Sequence, residues 1–138
     1  MNAYIDSSVL LRIILGEPEP LKAWRRIDVP VSSGLIRVEC LRTIDRARIQ
    51  LRLPDEAVAR HRADALDAIE TLDLIPLEPN VLERAAEPFP TLIGSLHALH
   101  LASALVVRDR YEGLVFATHD AALGTAARSV GFAVEGVR

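Results

Sequence analysis

The segment LVFATHD, residues 114–120, decides how this chain folds. Its first five residues are mostly apolar or β-branched and predict a buried strand over 114–118. Asp120 stands two residues beyond that strand, where a loop or the start of a helix is expected. An acid in this place is a candidate for function, because ligands of open parallel sheets bind at the carboxyl ends of the strands.

The N-terminal residues repeat the arrangement. The run AYI at residues 3–5 predicts a first buried strand, and Asp6 follows it directly. Ser7 or Ser8 can cap the helix that comes next, and Gly16 ends it. Two separate segments therefore place a carboxylate immediately after a strand.

Strands and helices alternate along the chain. Strands are predicted over residues 3–5, 29–32, 74–77, 114–118 and 132–134, with Pro30 favouring an edge position for the second. Seven helices are predicted between the strands. The first ends at Gly16, a short one starts at residues 17–20, and residues 54–56 open another. The remaining four span 35–52, 80–87, 95–109 and 121 to Gly131. This alternation predicts a single α/β domain, residues 1–138, with a mostly parallel sheet of four to five strands.

Composition excludes several classes of protein. Half of the 138 residues are hydrophobic and a quarter are charged, a balance typical of a globular domain and unlike a disordered chain. The single cysteine, Cys40, excludes an internal disulfide and a cysteine-based zinc site. The net charge of −3 gives no support to non-specific binding of nucleic acid. No signal peptide or membrane span is recognisable, so we expect a cytoplasmic protein without membrane contact.

Glu39 is a third candidate acid. The helix predicted over 35–52 carries one apolar stripe, formed by Ile36, Cys40, Ile44, Ala47 and Leu51. Glu39 lies at the edge of that stripe, where a carboxylate is costly unless it has a partner. The simpler interpretation is a solvated acid at the rim of the fold.

Asp6 and Asp120 are expected to approach one another, because the carboxyl ends of parallel strands meet at the same edge of a sheet. Carboxylates that share a small site repel each other unless a cation lies between them, and Mg²⁺ or Mn²⁺ takes such oxygen ligands. A metal of this kind activates water and stabilises charge on a phosphoryl group. The structural alternative is a turn or helix N-terminal acid at Asp6 and a helix cap at Asp120.

Four motifs of the chain resemble those of PIN-domain proteins, specifically of VapC-type toxins from type II toxin–antitoxin pairs. They are YIDSS at 4–8, RVECLR at 37–42, SLHALHLASA at 95–104 and THD at 118–120. The resemblance implies an α/β/α sandwich and metal-dependent endonucleolytic cleavage of RNA, with tRNA or rRNA as the substrate. It also implies a cognate antitoxin as the protein partner and a homodimer as the assembly.

The same resemblance assigns the catalytic and metal-binding acids to Asp6, Glu39 and Asp120. Asp6 would be the central ligand of Mg²⁺ or Mn²⁺, and water activated by the metal would attack the phosphodiester in line. Ser7 and Thr118 are supporting candidates, because their hydroxyls can position that water or a phosphate. Strand-end packing or helix capping is the simpler role for both.

His97 departs from the family pattern Ser-Leu-Asp-Ala, in which a fourth acid occupies this catalytic and metal-binding position. A neutral histidine removes a negative charge and offers nitrogen for oxygen, which Mg²⁺ disfavours and Mn²⁺ tolerates better. Either His97 belongs to an altered working site, or it weakens or abolishes activity. In the latter case the chain is a disabled module that only binds its antitoxin or RNA. His97 also shares a helix face with His100, and two such histidines could form part of a transition-metal site, although a packed, hydrogen-bonded role is simpler for His100.

Two neighbouring segments differ in charge. Residues 35–52 hold five arginines against two acids, whereas residues 53–73 hold two arginines against six acids. The simpler interpretation is a pair of solvated helix faces that attract each other. The alternative places Arg42, Arg46 and Arg48 along an RNA path beside Glu39, or in a groove for the antitoxin.

Two rival chemistries fit less well. A phosphotransfer enzyme of the haloacid-dehalogenase type would use Asp6 as a nucleophile, but Ser8 stands where its second Asp belongs. DNA flap nucleases are relatives of PIN domains, but they are longer and richer in acids.

Overall fold

Five short strands form one sheet in the computed structural model, which describes residues 1–137. They are β1 (Asn2–Ile5), β2 (Val29–Ser33), β3 (Asp73–Ile75), β4 (Val115–Ala117) and β5 (Val134–Glu135). Their order across the sheet is β3-β2-β1-β4-β5, and every neighbouring pair is parallel. The predicted α/β class with a parallel sheet of four to five strands is confirmed.

Six α-helices cover the two faces of this sheet. They are α1 (Ser7–Ile14), α2 (Leu35–Gln50), α3 (Asp55–Glu70), α4 (Pro79–Ala86), α5 (Ser95–Val107) and α6 (Ala121–Ser129). One apolar cluster joins α1, α2 and α3 to the sheet, and another joins α4, α5 and α6. Neighbouring strand residues alternate between the two clusters, so that Tyr4 faces one and Ile5 the other. This is the α/β/α sandwich that the resemblance implied.

The segment before β2 differs from the sequence prediction. No helix begins at residues 17–20, and a single 3-10 turn, Trp24–Arg26, follows instead. Glu19 adopts a left-handed backbone with a φ of 56° between Pro18 and Pro20. Because proline disfavours the helical conformation in the residue before it, a helix cannot run through Glu19.

β2 lies inside the sheet, although Pro30 favoured an edge. Pairing with β1 covers Val29 to Val31, whereas pairing with β3 starts only at Val31. Pro30 therefore has a neighbouring strand on one side only, and its missing N–H is tolerated there.

The predicted apolar stripe of α2 is wrong at one position. Its first four members are buried, but the helix ends at Gln50 and the side chain of Leu51 is 69% exposed. All five strands also differ from the predicted bounds by one or two residues at one or both ends. β3 ends at Ile75 because Pro76 follows it, and β5 begins only at Val134, while Phe132 packs in the core instead.

β1 and β4 lie side by side at the centre of the sheet, although they come from distant parts of the chain. From β1 the strand order continues to β2 and β3 on one side, and from β4 it continues to β5 on the other. Such a reversal opens a crevice at the carboxyl ends of the two strands. Asp6 directly follows β1, and Asp120 closely follows β4. Among residues 1–137, none of the helices has the length and apolar character needed to cross a membrane.

Candidate active site

Asp6 is held at the end of β1 by two hydroxyl groups. Ser8 Oγ donates to Asp6 Oδ1 at 2.5 Å, and Thr118 Oγ1 donates to Asp6 Oδ2 at 2.9 Å. The side chain is buried, and burial raises the pKa of Asp6 above its ordinary value, against the opposing effects of both hydroxyls and of His100. Asp6 is therefore a buried carboxylate whose direct side-chain partners are neutral hydroxyls.

Asp120 begins α6 and is tied to Asp6 through Thr118. Asp120 Oδ1 accepts from the backbone N–H of Leu123 at 2.9 Å, which makes it the N-cap of the helix. Its own N–H donates to Thr118 Oγ1 at 3.0 Å, and the same hydroxyl donates to Asp6. The structure thus brings both strand-end acids to one edge, with Thr118 between them.

Thr118 is itself confined by the chain behind it. Gly136 has a φ of +100°, and a Cβ at this position would collide with the carbonyl oxygen of Thr118. A glycine is therefore required where this segment passes the end of β4.

His97, in the first turn of α5, contacts Asp120. Its Nε2 lies 3.7 Å from Asp120 Oδ2, and both side chains are about one-third exposed. The position where the family pattern predicts an acid therefore adjoins one of the two strand-end acids. Asp120 has one oxygen committed to the helix cap and the other turned toward this imidazole.

Glu39, on α2, is bound by His100 of α5. His100 Nε2 and Glu39 Oε1 are 2.5 Å apart, and His100 Nδ1 lies 2.8 Å from the hydroxyl of Tyr4 in β1. Burial raises the pKa of Tyr4 strongly, so the hydroxyl keeps its proton and can donate to Nδ1. His100 then carries its proton on Nε2 and donates it to Glu39. The three residues form one chain from the centre of the sheet to the acid on α2.

The predicted site residues consequently form two pairs around Asp6, Asp120 with His97 and Glu39 with His100. No group of three or more His, Cys, Asp or Glu side chains within the described part of the chain is arranged to hold a metal ion. His97 and His100 contact different acids, so they do not form a common site. The oxygen atoms of Asp6, Asp120 and Glu39 nevertheless fit the ligand preference of a hard divalent cation.

The chain is similar to known proteins over nearly its whole length. A family model for the PIN domain matches residues 3–128. The chain belongs to the PIN-domain family. Ribonuclease VapC47 of Mycobacterium tuberculosis is 31% identical to it, over 94% of this chain and 92% of that protein. Ribonuclease VapC46 of the same species is also 31% identical, over 95% of this chain and 94% of that protein. These matches make it a VapC-type PIN-domain protein.

A solved structure has the same PIN fold. It is one chain in the crystal structure of VapBC2 from Rickettsia felis bound to a DNA fragment from its promoter. The superposition covers 98% of both chains with a TM-score of 0.67. At 11% sequence identity this similarity concerns the fold alone.

The arginines of α2 pair within their own helix and not with the acids of α3, which the simpler sequence interpretation expected. Arg42 and Arg48 both pair with Asp45 of their own helix, at 3.4 Å and 3.0 Å, and all three side chains are substantially exposed. Within residues 1–137 no ion pair joins these arginines to the acids of α3. Exposed pairs of this kind contribute little stability, so the two guanidinium groups stay available to a polyanion. Arg46 is exposed beside them.

Sequence reasoning missed two contacts of this PIN-domain site. One is the bond from Ser8 to Asp6, because the sequence offered Ser8 only as a helix cap and Ser7 as the hydroxyl that supports the site. The bond between His100 and Glu39 was also missed. Two signals could have found it: a histidine inside a helix that is apolar nearly all round, and an acid at the edge of another apolar stripe. Each needs a partner, and they satisfy each other.

Proposed function

We propose that this VapC-type protein is the toxin of a toxin–antitoxin pair, a hydrolase that cuts RNA as an endoribonuclease dependent on Mg²⁺ or Mn²⁺. The observation that carries the proposal is the acidic edge at the ends of β1 and β4, where Thr118 links Asp6 to Asp120. The names of the two curated relatives, both ribonucleases, support RNA as the substrate.

The donor groups at this edge fit a divalent cation. Asp6 is a buried carboxylate that no cationic side chain of residues 1–137 bonds, and a nearby cation would offset the cost of ionising it. Asp120 Oδ2 and the second oxygen of Glu39 are the other oxygen donors, and His97 offers a nitrogen. We therefore assign Asp6, Asp120 and Glu39 to the ion, with His97 as a fourth position. A bound cation of this kind supplies activation of water and stabilisation of phosphoryl charge.

The protein's own residues fix the orientation of these donors. Ser8 and Thr118 hold both oxygens of Asp6 in place, so its carboxylate cannot rotate freely. The helix cap does the same for Asp120, and His100 does so for Glu39. Catalytic donors held by packing and hydrogen bonds lose little entropy in the reaction. Ser7, the other supporting candidate of the sequence, is not among these contacts.

We expect His97 to determine how tightly this site binds a metal ion. It places an imidazole beside Asp120 where a carboxylate would add a negative charge. We expect this exchange to weaken Mg²⁺ binding more than Mn²⁺ binding, because Mn²⁺ accepts nitrogen ligands more readily. The same three acids and two histidines leave open the alternative of a disabled module that binds only RNA or its antitoxin.

The partners follow from the same chemistry. A cognate antitoxin could inhibit the site by inserting an arginine among the acids, as a charge-assisted hydrogen bond. The exposed arginines of α2, Arg42, Arg46 and Arg48, are the proposed path for tRNA or rRNA beside Glu39. A homodimer and a cytoplasmic location complete the proposal.

The test is cleavage of a panel of tRNAs and rRNA fragments with Mg²⁺, with Mn²⁺ and with EDTA. The chain is compared with its His97→Asp variant, and Asp6→Asn of each serves as the control for contaminating nuclease. Isothermal titration with each metal gives a readout that does not depend on activity. We expect His97→Asp to bind Mg²⁺ about tenfold more tightly, the size of effect that one added charge or hydrogen bond to a metal site produces.

Three outcomes separate the alternatives. Cleavage by the unaltered chain with Mn²⁺, lost with EDTA and in Asp6→Asn, establishes an altered but working nuclease. Cleavage by His97→Asp alone establishes a disabled toxin with the ancestral chemistry. If neither chain cuts any RNA of the panel and neither binds metal, the nuclease proposal is wrong.

A further inference from the structure

Three side chains form a hydrogen-bonded line through the core to one of the proposed metal ligands. The line begins at the hydroxyl of Tyr4 in β1, passes through both ring nitrogens of His100 in α5 and ends at the carboxylate of Glu39 in α2. Tyr4 is fully buried and His100 is 1% exposed, so neither side chain is open to solvent. Any influence of the Tyr4 hydroxyl on Glu39 must therefore pass through the imidazole.

The positions of the protons in this line follow from the chemistry of its two ends. His100 Nε2 and Glu39 Oε1 are 2.5 Å apart, and two atoms that only accept hydrogen bonds do not approach so closely. Because an ionised carboxylate only accepts, the proton lies on Nε2. Nδ1 is then the acceptor of the neutral ring, and the Tyr4 hydroxyl, 2.8 Å away, donates to it.

The line crosses from one apolar cluster of the core to the other. Tyr4 and α5 belong to the cluster with α4 and α6, whereas α2 belongs to the cluster with α1 and α3. Asp6 follows β1 directly, two residues after Tyr4. The same strand therefore positions Asp6 through its backbone and Glu39 through the Tyr4 hydroxyl and the imidazole of His100.

A tie between α2 and α5 is the simplest role for this line, but its proton order allows a further one. The hydrogen bond that one imidazole nitrogen makes decides which nitrogen carries the proton. If Nδ1 carried it, Nε2 would turn a lone pair toward the carboxylate of Glu39. We propose that Tyr4 is a positioning residue of the acidic site, which fixes His100 in the tautomer that donates to Glu39 Oε1 and so leaves the other oxygen of Glu39 for a cation.

The last step of this inference rests on the proposed function, since it takes Glu39 to be a ligand of the metal ion. Removing a residue that holds a metal ligand in place typically weakens metal binding by tenfold or more. The tautomer of His100, in contrast, is a property of the chain without metal. It can be measured in EDTA, so the two steps are tested separately.

The first experiment records the ring ¹⁵N signals of labelled histidine in the full chain in EDTA. Signals of protonated and bare nitrogens differ, and those of His100 are identified by their loss in His100→Gln. We expect His100 to carry its proton on Nε2. Glu39→Leu removes the acceptor of that proton, yet the Tyr4 hydroxyl should still keep Nδ1 bare. Adding Tyr4→Phe to Glu39→Leu should release the ring into a mixture of both tautomers.

The second experiment measures Mn²⁺ binding by titration calorimetry, with the unaltered chain and with its His97→Asp variant. Tyr4→Phe should weaken binding by about tenfold in each. In the His100→Gln background, Tyr4→Phe should have no further effect, because the hydroxyl acts through the imidazole.

Tyr111→Phe is the matched control for both experiments. It also removes a tyrosine hydroxyl that donates to a carboxylate, that of Asp73 at 3.1 Å. Asp73 begins β3, whereas the acidic edge lies at the carboxyl ends of the strands. This exchange should therefore leave both Mn²⁺ binding and the His100 signals unchanged.

Several results would overturn the inference. A His100 ring protonated on Nδ1, or on both nitrogens, in the unaltered chain would mean that Tyr4 accepts instead of donating. A proton that stays on Nε2 in the Tyr4→Phe, Glu39→Leu variant would show that Tyr4 does not set the tautomer. Unchanged Mn²⁺ binding in Tyr4→Phe, or equal weakening in the His100→Gln background, would reduce the line to a tie between helices.

Failure of the proposed function gives a different result. If neither the unaltered chain nor its His97→Asp variant binds Mn²⁺, the metal site is wrong and the role of Tyr4 in metal binding falls with it. The ring signals in EDTA then still decide whether Tyr4 sets the tautomer of His100.

Discussion

Asp6 and Glu39 are both acids beside the core, yet the fold holds them in opposite ways. Asp6 is 3% exposed and accepts from two neutral hydroxyls, whereas Glu39 accepts from the imidazole of His100. Burial raises the pKa of Asp6, against the opposing effects of both hydroxyls and of His100. The comparison teaches that Asp6 has only neutral side chains as direct partners, which is consistent with the proposed cation, while Glu39 already has an imidazole partner inside the chain.

Replacing Asp6 should have the largest effect. Asp6→Asn keeps the shape of the side chain but removes the central carboxylate, so we expect RNA cleavage to fall by roughly 10³-fold, as for loss of a main electrostatic group. The measurement is the initial rate of cleavage. Its substrate is an RNA that the unaltered chain or its His97→Asp variant cuts. Asp67→Asn on the exposed face of α3 is the control, and an equal loss there would remove the distinction.

The same variant should change how stability depends on pH. The folded pKa of Asp6 is raised, so the folded state binds its proton more tightly than the unfolded state does. This contribution is favourable below the unfolded pKa of about 3.9 and is lost as pH rises from there through the folded pKa. Asp6→Asn should therefore be more stable than the unaltered chain at pH 8 in EDTA. Urea unfolding from pH 4 to pH 8 measures this; parallel curves for the two proteins would contradict it.

Breaking the partner of Glu39 should cost stability instead. His100→Leu leaves the buried side of Glu39 and the hydroxyl of Tyr4 without a partner, and we expect a loss of about 2–4 kcal/mol in the free energy of unfolding. The control is a double-mutant cycle with Glu39→Leu, in which the combined loss should fall short of the sum of the two single losses. Additive losses would show that the short contact between the two side chains carries no coupling.

The smallest effect should come from Thr118, which serves both strand-end acids. Thr118→Val keeps the side-chain shape but removes the hydroxyl that bonds Asp6 and the N–H of Asp120. We expect a loss of about 1–2 kcal/mol in unfolding free energy, the usual cost of one unpaired buried group. Thr125→Val, whose exposed hydroxyl only bonds a carbonyl of its own helix, should change almost nothing. Equal losses of unfolding free energy in the two variants would mean that the Thr118 hydroxyl adds no stability beyond the packing of its side chain.

The fold could be predicted from the sequence because its strands are short apolar runs bounded by acids, glycines and prolines. Local pattern placed Asp6 and Asp120 at strand ends, and the parallel sheet then required them to share an edge. Leu51 could not be placed in the same way, because helical spacing continues past Gln50, where α2 ends, and the sequence does not show that end. Glu19 shows the converse, since two prolines override an otherwise acceptable helix start.

The side-chain contacts between elements could not be predicted from the sequence. Periodicity places Glu39 on α2 and His100 on α5, but their contact spans 61 residues and joins helices that belong to different apolar clusters. The choice between Ser7 and Ser8 depends on the exact turn by which α1 begins. The contact between Gly136 and Thr118 requires β5 to pair with β4, and local sequence patterns do not predict that pairing.

Gly136 has a genetic consequence. It carries no functional group, yet any side chain at this position would be driven into the carbonyl of Thr118, the residue that holds Asp6 and Asp120. In a selection for host survival, substitutions here should be recovered together with those at the acids themselves. Under the proposed function, a map of loss-of-toxicity alleles would thus include a residue outside the proposed set of metal ligands.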